Sequence, residues 1–510
     1  MSISSNWLFI GFWRRRSLLI YGLFISGLLC ADIEIIALEP WQELKRIAQG
    51  FIFPSLNRAE YLFEAIWQTI SFALLGVLAG LIIGFPLALI YQNPLIAALC
   101  AFIRAIHELF WALVFLQIFG LSPITGILAI ALPYGTTFAR VFFDILSQSP
   151  KSIIQTFPAD SDFLSRYFYG KIAPALSSMV SYCRYRFECA LRSSAVLGFV
   201  GMPTLGFYLE SAFRQGDYSF GAALLWVFIG LIGLIKFWCH RYLLPLYFIA
   251  SLMFLPNIPA VDSRLVWQFL SVDIWPRAII NLDPSSSLLT GSTYFLQDIK
   301  NWFLPLWQNQ ILSGILATLW LSFAALGFTH LLTLLFLPLG IKSITGWFSY
   351  FANFVCLCLR STPEYLLAFI FVLLLGPSML PAIIALALHN SALLAFLCVK
   401  QSAALKSNKV RINNGINDYS FRVLPQIYPH FMGLLMYRFE VILRETAILG
   451  MLGVATLGFY VDSSFAEIRY ANALVILFFT ALLNIVVDFT SRKLIGTNID
   501  SHKSNYCKND

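Results

Sequence analysis

The chain has 510 residues, of which 59% are hydrophobic and only 12% charged, with a mean hydropathy of +0.77 and a formal net charge of +8. A soluble globular domain is nearer about 25% charged, so the composition excludes one. Apolar runs recur at the roughly 18 or more residues that a helix needs to cross about 30 Å of hydrocarbon. A β-barrel would show short alternating segments instead. The surplus of Lys and Arg in such a chain reflects basic loops held on the cytoplasmic side rather than a nucleic-acid partner.

In chain order, Arg14-Arg15-Arg16 precedes the apolar run Ser17 to Ala31, and acidic Asp32 and Glu34 follow it in place of a small-residue cleavage site. It therefore reads as an uncleaved first span over 17–38. The second span is predicted over 66–91. Its Gly76, Gly80 and Gly84 recur every four residues, a smooth face on which another helix can approach closely. Spans over 95–119 and 122–143 are divided by Gly120-Leu121-Ser122-Pro123, a turn signal. After a polar segment come spans over 176–200 and 218–238. The plan then repeats: a short run over 243–255, a polar aromatic segment over 257–310, and spans over 311–338, 347–375, 379–399, 431–455 and 470–490. The nine cysteines show no CxxC and no zinc-like spacing, so neither metal nor cofactor is expected.

The repetition is literal in one stretch. Tyr185 to Phe213 reads YRFECALRSSAVLGFVGMPTLGFYLESAF, and Tyr437 to Phe465 reads YRFEVILRETAILGMLGVATLGFYVDSSF. The two align without a gap at an offset of 252, with 17 of 29 positions identical. One membrane unit has been duplicated and fused, giving a first repeat over 1–240 and a second over 241–510. Segment 400–444 holds seven Lys or Arg and two acidic residues, whereas 257–310 holds three basic and four acidic. With Arg14–Arg16 these place both ends of the chain in the cytoplasm. Six spans per copy make the repeats parallel, related by a pseudo-two-fold axis along the membrane normal. The fold expected is an all-α polytopic membrane protein of about twelve transmembrane helices.

The runs RSSAVLGFVG…LGF and RETAILGMLG…LGF resemble the permease subunit of phosphonate-type ABC importers. So do Arg360-Ser361-Thr362-Pro363-Glu364, Leu386-Ala387-Leu388-His389 and the ending Val487-Asp488-Phe489-Thr490-Ser491-Arg492. The resemblance covers nearly the whole chain twice, whereas such permeases usually have one unit and pair as two copies. It implies import of a small oxyanion, phosphonate or a phosphate relative, through the bacterial inner membrane. It also implies a periplasmic substrate-binding protein and a cytoplasmic ABC ATPase dimer as partners. The chain has no GxxxxGK[ST] phosphate loop, in keeping with a permease that borrows its ATPase and is not itself an enzyme. The family's coupling loop, a Glu-Ala-Ala followed by a glycine and then Leu-Pro, is degenerate in both halves. Gly415 with Leu424-Pro425 marks it in the second half, and Ser161 with Pro174 in the first.

Candidate chemistry lies in paired charges. Arg104 with Glu108, and Arg360 with Glu364, are four residues apart, so each pair is expected to share one helix face. Each glutamate would orient an arginine that attracts an oxyanion, or the pair would simply neutralise itself. Glu188 with Arg192 and Glu440 with Arg444 repeat the spacing, beside Arg186 and Arg438, as a cytoplasmic gate or as anchoring charges. Gly201 and Gly206, with Gly453 and Gly458, either break the helix to line a path with backbone amides or allow tight packing. His389, in an otherwise apolar span, is either a packing residue or a substrate contact. A secondary transporter with parallel repeats would need a mid-membrane carboxylate or His relay, whereas the acidic residues here cluster at span ends. A membrane enzyme would need nucleophile or metal spacing that the sequence lacks.

Overall fold

The computed structural model describes residues 3–56, 60–148, 162–240, 242–256, 261–280, 288–406, 417 and 419–496. Every regular element among these is helical. In hydrocarbon each amide must find its partner within its own segment, and these apolar runs comply. Five helices are long and apolar enough to cross a membrane, or nine if each of four sharply bent pairs counts as one span. The chain packs as two compact units, residues 49–270 and residues 1–48 with 271–510.

In unit 49–270 the core is the pair α3 (Leu62–Leu89) and α6 (Pro123–Ser147). The glycine stripe makes this contact. A Cβ on Gly76 would press on Ile130 at 2.8 Å, and one on Gly80 would meet the Ala131 carbonyl at 3.1 Å. Gly84 lies against Gly135 and Phe138. Between these helices the expected span 95–119 is two helices, α4 (Pro94–Ala105) and α5 (Glu108–Phe119), bent by 92°. The long α7 (Ala173–Val196) runs through a 3-10 turn into α8 (Leu205–Arg214) with a bend of 52°. Then follow α9 (Tyr218–Gly233) and the ten-residue α10 (Leu244–Met253).

In the other unit α1 (Ile3–Cys30) packs on α12 (Leu312–Gly340), which continues from α11 (Leu288–Leu306) through one π turn. The span expected over 347–375 is again an elbow, α13 (Phe348–Ser361) and α14 (Glu364–Leu375), bent by 95°. Next come α15 (Met379–Lys406), α16 (Leu424–Leu449), α17 (Leu457–Ala466) at 44° to α16, and α18 (Tyr470–Gly496).

The packing units do not coincide with the sequence repeats, because the leading helices change places. Helix α1 belongs by sequence to the first repeat, yet a Cβ added to Gly27 would stand 2.7 Å from the Ala324 amide and the Trp320 carbonyl, and one added to Gly327 would run into Phe24. The irregular run after α1 ties to the same unit: Ile36 N–H donates to the Leu375 carbonyl, and Met379 N–H to the Asp32 carbonyl. Reciprocally, α10 opens the second repeat by sequence but packs on α3. Phe254, just beyond α10, stacks on Trp67 at 5.3 Å, and Tyr247 lies 6.1 Å from the same indole. The chain passes from one unit to the other within helix α2 (Pro40–Ile52) and again within the π turn Phe269–Asp273.

Candidate functional site

Each unit holds one elbow, one α7-type or α16-type long helix, and a polar cluster where they meet. The elbows have local causes. In the first copy His107 caps α5, its Nδ1 accepting the Leu109 N–H at 3.2 Å. In the second copy Pro363 stands at the same place, and a proline forces the residue before it, Thr362, out of the helical region; Thr362 has φ −71° and ψ 127°. The expectation that Arg104 and Glu108, or Arg360 and Glu364, share one helix face is therefore overturned. Arg104 ends α4 and Glu108 begins α5, and Arg360 and Glu364 are divided in the same way between α13 and α14.

The elbow glutamates meet imidazoles. His107 Nε2 lies 3.4 Å from Glu108, and His389 Nε2 lies 3.6 Å from Glu364. These histidines are not equivalent in the alignment. At the offset of 256 that superposes Glu108 on Glu364 and the start of α6 on that of α15, His107 corresponds to Pro363, and His389, in α15, corresponds to Pro133, in α6. Histidine and proline have traded places between the copies. His389 is buried, and its Nδ1 donates to the Thr362 carbonyl at 3.0 Å. Arg360 lies over the Phe396 ring at 3.9 Å.

The long helices carry the second part of the cluster. In unit 49–270, Ser193 Oγ donates to Glu108 at 2.6 Å and lies 3.1 Å from the Tyr134 hydroxyl. Arg186 lies over the Tyr134 ring at 5.1 Å, and its Nε donates to the Tyr182 hydroxyl at 2.8 Å. In the other unit, Glu445 replaces Ser193 and Asn390 replaces Tyr134. Arg438 Nε donates to Asn390 Oδ1 at 2.6 Å, Arg438 Nη2 faces Glu445 at 3.7 Å, and Asn390 Nδ2 donates to Glu445 at 3.2 Å. Glu440 and Arg444 form an ion pair of 2.6 Å one turn apart in α16. In α7, Glu188 occupies the matching turn, and Arg192 reaches the Cys189 sulfur at 3.5 Å.

The glycine breaks are nearly identical in the two units. Gly201 and Gly453 end 3-10 turns at φ 95° and 89°, where a side chain would be strained. Gly206 and Gly458 lie directly on the Ala195 and Ala447 carbonyls, with no room for a Cβ. The following helix starts are capped from the core: Thr69 Oγ1 accepts the Leu205 N–H at 2.9 Å, and Thr318 Oγ1 accepts the Leu457 N–H at 3.1 Å. The amides of Gly201, Thr204 and Phe207 likewise donate to carbonyls of their own turn. The glycines thus sit in close backbone packing, and these amides of the break are paired.

Of the coupling residues, Pro174 lies in the first turn of α7, and Leu424 and Pro425 in the first turn of α16. A π turn precedes each, Phe168–Ile172 and Tyr419–Val423. Ser161 and Gly415 lie outside the described residues. Sequence reasoning passed over Tyr134, Tyr182, Thr69 and Thr318. The signal for Tyr134 was its alignment with Asn390, the polar residue that follows His389 in an apolar run. The threonines gave none, since a threonine in an apolar helix usually bonds its own backbone.

Among curated proteins, the chain is 24% identical over 479 residues to the phosphate-import permease protein PhnE of Mycolicibacterium smegmatis, covering 85% of each chain. It is 28% identical over 138 residues to the phosphite transport system permease protein PtxC of Stutzerimonas stutzeri, 26% of this chain and 50% of that one. It is 32% identical over 78 residues to the putative cryptic phosphonate transport system permease protein PhnE2 of Escherichia coli, 15% of this chain and 64% of that one. No protein-family profile matches the chain, and no solved structure matches it.

Proposed function

From the premise that the chain belongs to the phosphonate-type ABC permeases, we propose that it is the membrane path of an ATP-driven importer. It moves a small phosphorus oxyanion, phosphonate or a phosphate relative, into the cytoplasm. It is a transport subunit and not an enzyme, and ATP hydrolysis falls to a separate ABC ATPase dimer. A periplasmic binding protein delivers the substrate. The observation that carries this reading is the kinship with a phosphate-import permease over 85% of both chains.

The topology proposed is twelve spans in two parallel sets of six, with both ends of the sequence in the cytoplasm of a bacterium. The nine spans that length and composition support are joined by α1, α9 and α10, and each elbow counts as one broken span. Broken helices at membrane depth are tolerated where they line a cavity or are buried in protein, and here they bring the Arg104, Glu108, Arg360 and Glu364 positions to the two elbows. The turns ahead of α7 and α16, with Ser161, Pro174, Gly415, Leu424 and Pro425, are the proposed docking places for the ATPase. Arg186, Glu188, Arg438 and Glu440 follow them along the same helices.

Purification from native membrane should bring down an ATPase, and the complex in liposomes should take up inorganic phosphate, phosphite or methylphosphonate only with ATP. Uptake that survives ATP depletion and collapses with an uncoupler would sink the proposal in favour of an ion-driven transporter.

A further inference from the structure

Arg186 and Arg438 are the same residue of the duplicated stretch, yet their charges are treated in opposite ways. Arg438 is closed into a triangle with Asn390 and Glu445, in which every side touches the other two. The triangle has no net charge, and the guanidinium is committed to it. Arg186 has aromatic neighbours instead. The Tyr134 and Tyr182 rings lie 5.1 and 5.4 Å from its carbon, and the Tyr182 hydroxyl takes only the Nε proton. Among the described residues no carboxylate pairs with Arg186. The nearby carboxylate, Glu108, is drawn to Ser193 and His107 instead.

The two substitutions that make this difference act together. Tyr134 in place of Asn390 supplies a π face that holds a guanidinium without neutralising it. Ser193 in place of Glu445 removes the carboxylate and directs Glu108 to the serine hydroxyl. A positive charge left uncompensated inside a membrane protein is expensive and is kept facing a partner or a water-filled space. A guanidinium held against two rings, with no carboxylate paired to it among the described residues, presents a planar fork that suits two oxygens of a tetrahedral phosphorus oxyanion.

We propose that Arg186 is an oxyanion-binding residue of this chain, held by Tyr134 and Tyr182, and that Arg438 is its neutralised twin. The transported anion is recognised on one half of the duplicated chain rather than symmetrically on both. Phosphonate, phosphite and phosphate share the group that the fork takes, so Arg186 reads the PO3 face and not the fourth substituent. The inference rests on the oxyanion-import reading above.

The test uses the full chain with its ATPase and binding protein in liposomes, with inorganic phosphate, phosphite and methylphosphonate as probes. The readout is the anion moved per ATP hydrolysed. Arg186→Gln should lower this ratio roughly tenfold or more for all three probes, the loss expected when a charge-assisted hydrogen bond to a ligand is removed. Arg186→Lys, which keeps the charge and loses the fork, should fall between that variant and the parent. The pair Tyr134→Asn with Ser193→Glu, which installs the second half's triangle around Arg186, should behave like Arg186→Gln and decides the matter if that variant does not fold. A parental ratio in Arg186→Gln, or in the transplanted pair, overturns the proposal and leaves the importer reading standing. Failure of the parent protein to move any of the three with ATP overturns the importer reading, and this inference with it.

Discussion

His107 and His389 occupy non-equivalent positions in the two copies, yet each sets its Nε2 beside the glutamate that starts the outgoing helix of an elbow, at 3.4 and 3.6 Å. The proline that would stand at either place has moved to the other: Pro363 where His107 would be, and Pro133 where His389 would be. Each elbow thus sets one imidazole against its carboxylate, supplied by the elbow itself in the first copy and by α15 in the second. The tautomers differ accordingly. His107 Nδ1 accepts an amide proton, so Nε2 carries its own proton towards Glu108. His389 Nδ1 must donate to a carbonyl, so Nε2 and Glu364 share any second proton between them.

The exchange predicts compensation. His107→Pro should lose most ATP-dependent uptake, because Glu108 loses its imidazole. Adding Pro133→His to it should restore uptake towards the parent, since that pair reproduces the second copy's arrangement. Measured uptake that falls further in the double variant than in the single one would show that the elbows are not interchangeable in this way.

Gly206→Ala and Gly458→Ala should each destabilise the protein by about 3 kcal/mol or more, because the new methyl meets a backbone carbonyl that cannot rotate aside. The controls are Gly230→Ala and Gly433→Ala, whose added Cβ meets nothing within 4 Å, and these should be close to neutral. Thermal unfolding in detergent compares all four. Equal melting temperatures across the set would mean that the crossing of α7 with α8, and of α16 with α17, is looser than described.

Glu440 and Arg444 form an ion pair with side chains only 10% and 20% exposed. Removing one partner of a buried pair leaves a lone buried charge and costs about 3–5 kcal/mol at full burial; the partial exposure here should reduce that. Arg444→Gln is therefore expected to lower stability by about 2 kcal/mol, and Glu440→Gln added to it should recover part of the loss. The coupling in a double-mutant cycle reads the pair directly. Additive effects would mean that the two charges are solvated separately.

Gly27→Leu should unseat α1 from α12, since even a Cβ there stands 2.7 Å from the Ala324 amide and the Trp320 carbonyl. Hydrogen exchange is the measurement, and amides around 320–327 should lose protection. Unchanged protection in that segment would count against the packing of α1 on it.

The sequence showed much of this where chemistry is local. The glycines of α3 announce a close helix contact and make one with α6. The positive φ at Gly201 and Gly453 follows from glycine ending a helical run, and the duplicated stretch builds the same break twice. The elbows were hidden because Arg104 with Glu108, and Arg360 with Glu364, keep helical spacing within an unbroken apolar run. Only Pro363 hinted at a break, and in the first copy a histidine side chain does the proline's work. The exchange of α1 and α10 was hidden for a different reason. An apolar helix carries the same composition whichever core it meets, so periodicity cannot name its partner. The shift from Ser193 to Glu445 was visible as a difference, but its meaning needed Tyr134 and Asn390 beside it.

The exchange of leading helices bears on how such a chain can be divided. A cut between the two sequence repeats would yield two fragments, each missing the helix that completes its own packing unit and carrying one that belongs to the other. Neither fragment would be a free-standing protein. Each would be the other's folding partner, and co-expression of both would be the minimum for either to mature. Carrying both in one chain fixes that partnership at one to one. It also releases the two halves from having to be identical, which is the condition under which a histidine and a proline can trade places, or one arginine can be neutralised while its twin is not.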